Sequence, residues 1–502
     1  MAAAWRARRG QRPAARRGRA AVGLRAGIAL LAVLCLAGLG LLPTSLAAFS
    51  ATASGPASSF TARATFGLTQ TASPQCFSDD GSAGCTMATG IVEGQAVAVS
   101  PDGKNVYAGS STSNAVAEFS RNTTTGSLTQ LTTTNNKCVS NAGITGCTTV
   151  TGALNGVYDV VVSPDGKNLY AVASRSSTVA AFNRDTSTGA LTPLANPNRC
   201  LYDTGATNVP NCSSARGIGG ADGVAISPDG AFVYVSSYST NSVAAFARDS
   251  ATGVLTQLSG TAGCTSATGA NGCATGYGLG QPYFMRMTPD GTSLYVASYA
   301  SYSVAVFQRN PTTGVLTQPG GSNACMNDVS KGAVTGCTTA SGLYGAYNVA
   351  IAPNGRTVYV MGYDHDTVAI FTRNTTTGVL TQAASVCLYL SGGTTVAGCS
   401  SARAINGPTG MTFSADGLFA FVSAYGSNGV AAFRHDNATG ALTQLTGTSG
   451  CISVNTSGCS AGSGLRLANN ITTSPDGRDV YVTGGNTQGN GAGYVASLNL
   501  TH

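Results

Sequence analysis

The stretch SPDGAFVYVSSYSTNSVAAFARDSATGVLTQL, Ser227 to Leu258, reads as a turn, a strand, a loop, a strand, a hairpin turn and a strand. Pro pre-sets φ for the first turn, and Gly accepts the positive φ that ends it. An apolar run around Tyr234 and a third run ending at Phe246 are rich in β-formers. Asp249 opening the next turn and Gly253 closing it is hairpin chemistry. A further strand, Gly223 to Ile226, precedes the Pro.

Versions of this unit recur seven times. The turn signature stands at Ser100-Pro101-Asp102-Gly103, and its Asp or Asn recurs at 165, 229, 290, 354, 416 and 476, a mean period of about 62 residues. The central aromatic is Tyr107, Tyr170, Tyr234, Tyr295, Tyr359, Phe421 and Tyr481. The first six units close on a G-x-L-T run. Four short antiparallel strands per unit, seven times over, predict an all-β, seven-bladed β-propeller. A solenoid is the alternative, and the chain ends decide against it. The last unit stops after its third strand, near Leu500. At the other end Phe66-Gly67-Leu68-Thr69-Gln70 is a fourth strand with no first three before it. A ring closed by an N-terminal strand completing the last blade explains both and leaves few unpaired edges.

Residues 1–47 read as a secretory signal peptide: eight Arg and no acid precede the apolar run Ala26 to Leu42, with a small-residue cleavage site at Ser45-Leu46-Ala47. An uncleaved anchor is the other reading. Residues 48–64 are Ala/Ser/Thr-rich and read as a flexible lead-in; residues 65–502 read as the propeller. The chain carries +7, but residues 1–47 alone carry +8, so the remainder is close to neutral. That balance excludes nucleic acid as a partner on charge grounds. With the leader removed, no membrane span is expected. The location expected is secreted, extracellular or cell-surface, and the protein a monomer.

Fourteen of the fifteen Cys fall in seven couples, one per unit: Cys76/Cys85, Cys138/Cys147, Cys200/Cys212, Cys264/Cys273, Cys325/Cys337, Cys387/Cys399 and Cys451/Cys459. An even count in a secreted chain implies disulfides. Pairing within each couple is the scheme that repeats with the blade. Each would contribute roughly 2–3 kcal/mol. The couples lie between a fourth strand and the next first strand, so they are expected to crown the face where the inner strands begin. The spacing is not C-x-x-C and the chain has three His, so no metal site is expected from them. His365, His435 and His502 sit in no catalytic arrangement and read as surface residues.

The candidate site is the channel mouth. Six positions before each turn Pro stand Gln95, Tyr158, Asp222, Tyr283, Tyr347, Thr409 and Asn469; Ala415 takes the place of Pro in unit six. Five before stand Ala96, Asp159, Gly223, Phe284, Asn348, Gly410 and Asn470. These differ between units that otherwise repeat. Three before, six units carry Ala, Val or Thr and the fourth carries Arg286. A charge there must find a partner or reach water. Asp159, Asp222 and Glu93 are the acids at hand. Arg286, Asp159, Asp222, Tyr158, Tyr283, Tyr347, Asn348 and Asn469 are therefore the ligand-binding candidates. Asp159 and Asp222 with Asn348, Asn469 and Asn470 offer oxygens to a Ca²⁺, but there is no contiguous calcium loop, and no cofactor is expected.

The units V-x-x-S-P-D-G-x-x-x-Y-V and V-x-x-F-x-R-D-x-x-T-G-x-L-T resemble the seven-bladed lactonase family of 6-phosphogluconolactonases and carboxymuconate-cyclase-like proteins. The S-P-D-G-x-x-x-Y-V part also resembles YVTN surface propellers. The resemblance implies lactone hydrolysis at the channel mouth and assigns no catalytic residue here. Two functions stay open. One is a disulfide-stapled module that binds a small polar molecule or an extracellular macromolecule, or serves as a scaffold. The other is an extracellular lactonase-like hydrolase.

Overall fold

The computed structural model describes residues 67–71, 75–132, 136–485 and 492–501; residues 1–66, on which the expected leader, lead-in and Phe66 fall, and His502 lie outside them. Seven sheets form a closed ring. Their inner strands are Gly94–Val99, Val157–Val162, Ala221–Ile226, Pro282–Met287, Ala346–Ile351, Pro408–Phe413 and Asn470–Thr473. Each packs on the next and the last on the first. All seven second strands, such as Asn168–Ala173, are buried at every position. Such strands read as near-continuous runs of β-formers because both faces are covered by neighbouring blades. Among the described residues no helix is long and apolar enough to cross a membrane.

Ring closure follows the expected logic and extends beyond it. Gly67–Gln70 pairs antiparallel with Leu498–Thr501. Cys76–Ser78 then pairs with Tyr494–Ala496 on the same strand. Blade seven therefore takes its whole outer edge from the N-terminal side of the chain.

The same two-part edge recurs. In blade two, Leu191–Pro193 and Cys200–Asp203 both pair with the third strand, Thr178–Arg184. In blade five the two parts run on as one strand, Leu380–Leu390. Outside each edge lies a short parallel strand, such as Ser213–Ala215 in blade two. The expected four antiparallel strands are thus present, with one parallel strand added.

All seven expected disulfides are formed: Cys76–Cys85, Cys138–Cys147, Cys200–Cys212, Cys264–Cys273, Cys325–Cys337, Cys387–Cys399 and Cys451–Cys459. Their Cα–Cα distances lie between 4.4 and 4.8 Å. The pairing and the face are as expected, but the position on that face is the rim rather than the channel. The first Cys of each couple stands in the outer edge of its sheet. Cys147 and Cys337 open the added parallel strand. Cys85, Cys212, Cys273, Cys399 and Cys459 each stand one residue before it. The staples therefore sit on the blade rims toward the mouth face and do not crown the channel, because the backbone on both sides of each bridge continues the sheet. Seven disulfides point to an oxidising environment.

The repeated turn and hairpin residues hold neighbouring blades together. Arg184 of blade two donates to both carboxylate oxygens of Asp102 in blade one, at 3.1 and 2.9 Å, and to the Tyr107 hydroxyl at 2.8 Å. Tyr107 in turn donates to the Gly189 carbonyl at 2.6 Å. The same latch joins Arg248 to Asp165, Arg309 to Asp229 and Arg373 to Asp290. Arg121 carries it across the closure to Asp476, Asp479 and Tyr481.

Two interfaces depart from it, the first at both ion-pair partners and the second at the Arg and Tyr slots, with Asp416 kept in the turn and bonded to Ser414 and the Leu418 amide. Between blades five and six, Arg becomes His435 and Asp becomes Asn354. His435 is buried, not on the surface as expected, and its Nδ1 donates to the Gly417 carbonyl at 2.5 Å. Asn354 Nδ2 donates to the Asn437 carbonyl at 2.9 Å. Between blades six and seven the Arg slot is Leu500 and the Tyr slot is Phe421, both in one apolar cluster. Changing one partner of a buried ion pair strands the other charge, which the paired change to His435 and Asn354 avoids.

The Gln of G-x-L-T-Q has a similar role. Gln257 accepts from the Arg216 amide and donates to its carbonyl, pinning the connection that leads into its own blade. Gln70 does the same to Ser463 across the closure.

Candidate functional site

Every inner strand except that of blade seven shows a register shift near its start. In blade two Tyr158 falls in that shift, between Val157 and Asp159. The bulge turns the residue six before the Pro into the mouth. The structure brings together Gln95, Tyr158 and Asn469 in one pocket of about 200 Å³, with Glu93, Ser111, Arg175 and Tyr425. Asn469 Nδ2 donates to Gln95 Oε1. Asn469 Oδ1 is buried with no partner among the described residues. Arg175 donates to the Ser111 carbonyl at 3.0 Å. Glu93 accepts from Ser111 and Thr112 hydroxyls.

The other side of the mouth is aromatic. Tyr283 lies 5.3 Å from Tyr238, 5.7 Å from Tyr299 and 5.1 Å from Tyr347, ring centre to ring centre. Tyr347 continues to Tyr363 at 5.7 Å, and Tyr363 to Tyr425 at 6.2 Å. Tyr238, Tyr299, Tyr363 and Tyr425 were not among the candidates, and neither was Arg175. The tyrosines have a shared address: each is the first residue after its second strand, where blades one, two and seven have Ser111, Ser174 and Gly485. Comparing that position across the repeats finds them. The mouth is therefore two-sided, with an aromatic arc over blades three to six facing small and charged residues over blades seven, one and two.

Asp222 belongs to the arc electrostatically. It is 2% exposed. Burial pushes its carboxyl up to about 7, and the Ser174 hydroxyl offsets this only in part. Its charge in turn helps raise Tyr158, Tyr283 and Tyr347 above the usual phenol range, after burial itself. A carboxyl balanced near neutrality beside phenols is suited to proton transfer.

The remaining candidates lie elsewhere. Asp159 accepts from the Val224 amide at 3.1 Å and faces Arg286 at 3.9 Å, in a second cavity lower in the channel. Burial raises it to about 6, against the pull of Arg286. Asn348 donates to the Thr409 carbonyl and accepts from the Val349 amide, at 2.8 Å each. Asn470 accepts from the Ile471 amide. Among the described residues no three His, Cys, Asp or Glu side chains converge as metal ligands.

Residues 202–329 match the family model described as Lactonase, 7-bladed beta-propeller. The resemblance to lactonase propellers is borne out over that stretch, which carries Asp222, Tyr238, Tyr283 and Tyr299. No curated protein matches the chain. Among solved structures, a putative 6-phosphogluconolactonase from Bacteroides fragilis NCTC 9343 is similar at 18% identity, covering 73% of this chain and 85% of its own, with a TM-score of 0.47. One from Bacteroides uniformis ATCC 8492 is similar at 17% identity, covering 70% and 83%, with a TM-score of 0.46. The Pseudomonas aeruginosa periplasmic gluconolactonase is similar at 16%, covering 70% and 84%, with a TM-score of 0.46.

Proposed function

We propose that the protein is a lactonase-like hydrolase of sugar-type lactones, acting at the two-sided mouth and exported to an oxidising compartment. The observation that carries this reading is Asp222, a carboxyl held near neutrality within the stretch that matches the lactonase model. The tyrosine arc supplies flat apolar faces for the C–H side of a sugar ring, with hydroxyls at their edges. Glu93, Gln95 and Asn469 supply hydrogen-bond partners for ring hydroxyls on the other side.

In this reading ionised Asp222 takes a proton from a water as the water oxygen bonds to the lactone carbonyl carbon. The carbonyl oxygen gathers negative charge, which the Arg175 guanidinium stabilises. The ring C–O bond then breaks, and its oxygen leaves with the proton that Asp222 had taken. Lactone and water give one hydroxy acid, with no other reactant.

The test is hydrolysis of glucono-δ-lactone by the exported protein, corrected for spontaneous opening. Since the ionised carboxylate is the base, kcat/KM should rise through about pH 7 and level off above it. Asp222→Asn should cost about 100-fold or more in kcat, the usual scale for a general base. It should not lower the melting temperature, because it removes a carboxyl that folding holds toward its neutral form. Saturable sugar or lactone binding with no turnover would return the protein to the binding-module reading. Full activity in Asp222→Asn would remove Asp222 from the mechanism.

A further inference from the structure

Arg286 occupies a slot that is Ala98, Val161, Ala225, Ala350, Thr412 and Thr472 in the other blades. These residues sit in the second half of the inner strands, toward the face of the S-P-D-G turns and away from the mouth. The peptide between residues 158 and 159 divides the two regions: Tyr158 lines the mouth pocket and Asp159 the lower one.

The lower cavity holds about 300 Å³. Aliphatic side chains such as Val97, Val162, Ile226 and Met287 contribute to its walls, while more of the surface facing it is polar than apolar. Arg286 is its cation, and the side chain is 36% exposed. Nη1 donates to the Met285 carbonyl at 2.9 Å. The Asp159 oxygen at 3.9 Å is beyond hydrogen-bond reach. Among the described residues, Nε and Nη2 have no partner. This differs from the five latch arginines, each of which has both Nη atoms bonded to carboxylates, carbonyls or side-chain oxygens.

We propose that this lower cavity is a second binding site, separate from the mouth, for a small aliphatic monocarboxylate. The planar guanidinium matches a carboxylate's two oxygens. The aliphatic side chains on its walls give a short alkyl tail a place to lie. Asp159 nearby disfavours a second negative charge, so inorganic phosphate should bind poorly. Neither the ligand nor the residues are those of the proposed hydrolysis, and the two readings stand or fall apart.

The test is titration of the exported protein with butyrate, followed by ligand-observed NMR, with butyramide and inorganic phosphate as controls. Butyrate should saturate at millimolar concentration and the controls should not. Arg286→Met should weaken butyrate at least tenfold, and Ala225→Leu, which fills the cavity and leaves the charge, should do the same. Asp159→Asn should tighten it. Glu93→Gln, at the mouth, should leave it unchanged. Unfolding midpoints of all variants show whether each ring is intact; if Arg286→Met does not fold, Ala225→Leu carries the test. Absence of saturable butyrate binding overturns the proposal. So does equal binding of butyramide, or an unchanged affinity in Ala225→Leu.

Discussion

Deleting residues 67–71 is expected to lower the free energy of unfolding by about 5 kcal/mol, and deleting residues 67–87 to yield a protein that aggregates. The first deletion removes the strand paired with Leu498–Thr501, buried Leu68, and the Gln70 clamp on Ser463. A buried Leu is worth about 2 kcal/mol and each net hydrogen bond about 1 kcal/mol. The second deletion also removes Cys76–Ser78, which pairs with the other half of the same strand. The last blade then presents a long bare edge, a template for pairing between molecules. Arg121 would still reach Asp476 and Asp479, so a latched but unzipped ring is the expected product. Urea unfolding and light scattering read both effects. A chain lacking 67–71 with an unchanged midpoint would show that the closure contributes nothing.

Replacing Glu118 with Gln should stabilise the protein at neutral and alkaline pH and have little effect in acid. Glu118 faces Tyr107 across the sheet, in a slot filled by Ala181, Ala245, Val306, Ile370, Ala432 and Ser497 elsewhere. One oxygen accepts from the Leu191 amide at 2.9 Å, and the other is buried without a partner among the described residues. Burial pushes the carboxyl up to about 8. The folded state therefore holds a proton that the unfolded chain releases above its ordinary value of 4.5. With the folded value raised, stability is full below about pH 4.5 and falls as pH rises to about 8, by roughly 1.4 kcal/mol per unit. The total is about 5 kcal/mol, a loss that Glu118→Gln or Glu118→Ala should abolish. Parallel melting curves for wild type and variants from pH 4 to pH 9 test it. Curves with equal pH slopes would place the charge in water.

The repeat was legible because its signals are local. Turn, strand and hairpin chemistry each occupy a few adjacent residues, and the period shows by counting. The closing strand was legible because its fragment matches the missing part of the last unit. The latches were not. Asp102 and Arg184 already had local readings as turn and hairpin residues, and their partnership spans 82 positions. The parallel strand was invisible because two to four residues carry too little periodicity to read. Asp222 could be found as an acid in a variable slot, but its near-neutral carboxyl depends on burial and on Ser174. Arg286 stood out because a charge breaks an otherwise small and mostly apolar column. The pairing of the cysteines was legible from their count and spacing. Their rim position required knowing that the residues beside them, such as those following Cys85 and Cys212, pair with the sheet.

The uneven distribution of the latches gives the ring an order of disassembly in acid. Hydrogen bonds and guanidinium groups hold Asp102, Asp165, Asp229, Asp290 and Asp476 below the usual carboxylate range, despite partial burial. That stability is present above pH 4 and is lost as pH falls through those lowered values. The seams between blades five and six and between six and seven are fastened by amide, imidazole and apolar contacts instead. Asp290 is held lowest of the five and is still ionised at pH 2, so blades four to seven, with the N-terminal edge that completes blade seven, should outlast the seams of the others. Pepsin digestion at that pH should leave a resistant C-terminal fragment, and a resistant fragment drawn from blades one to three would contradict this order.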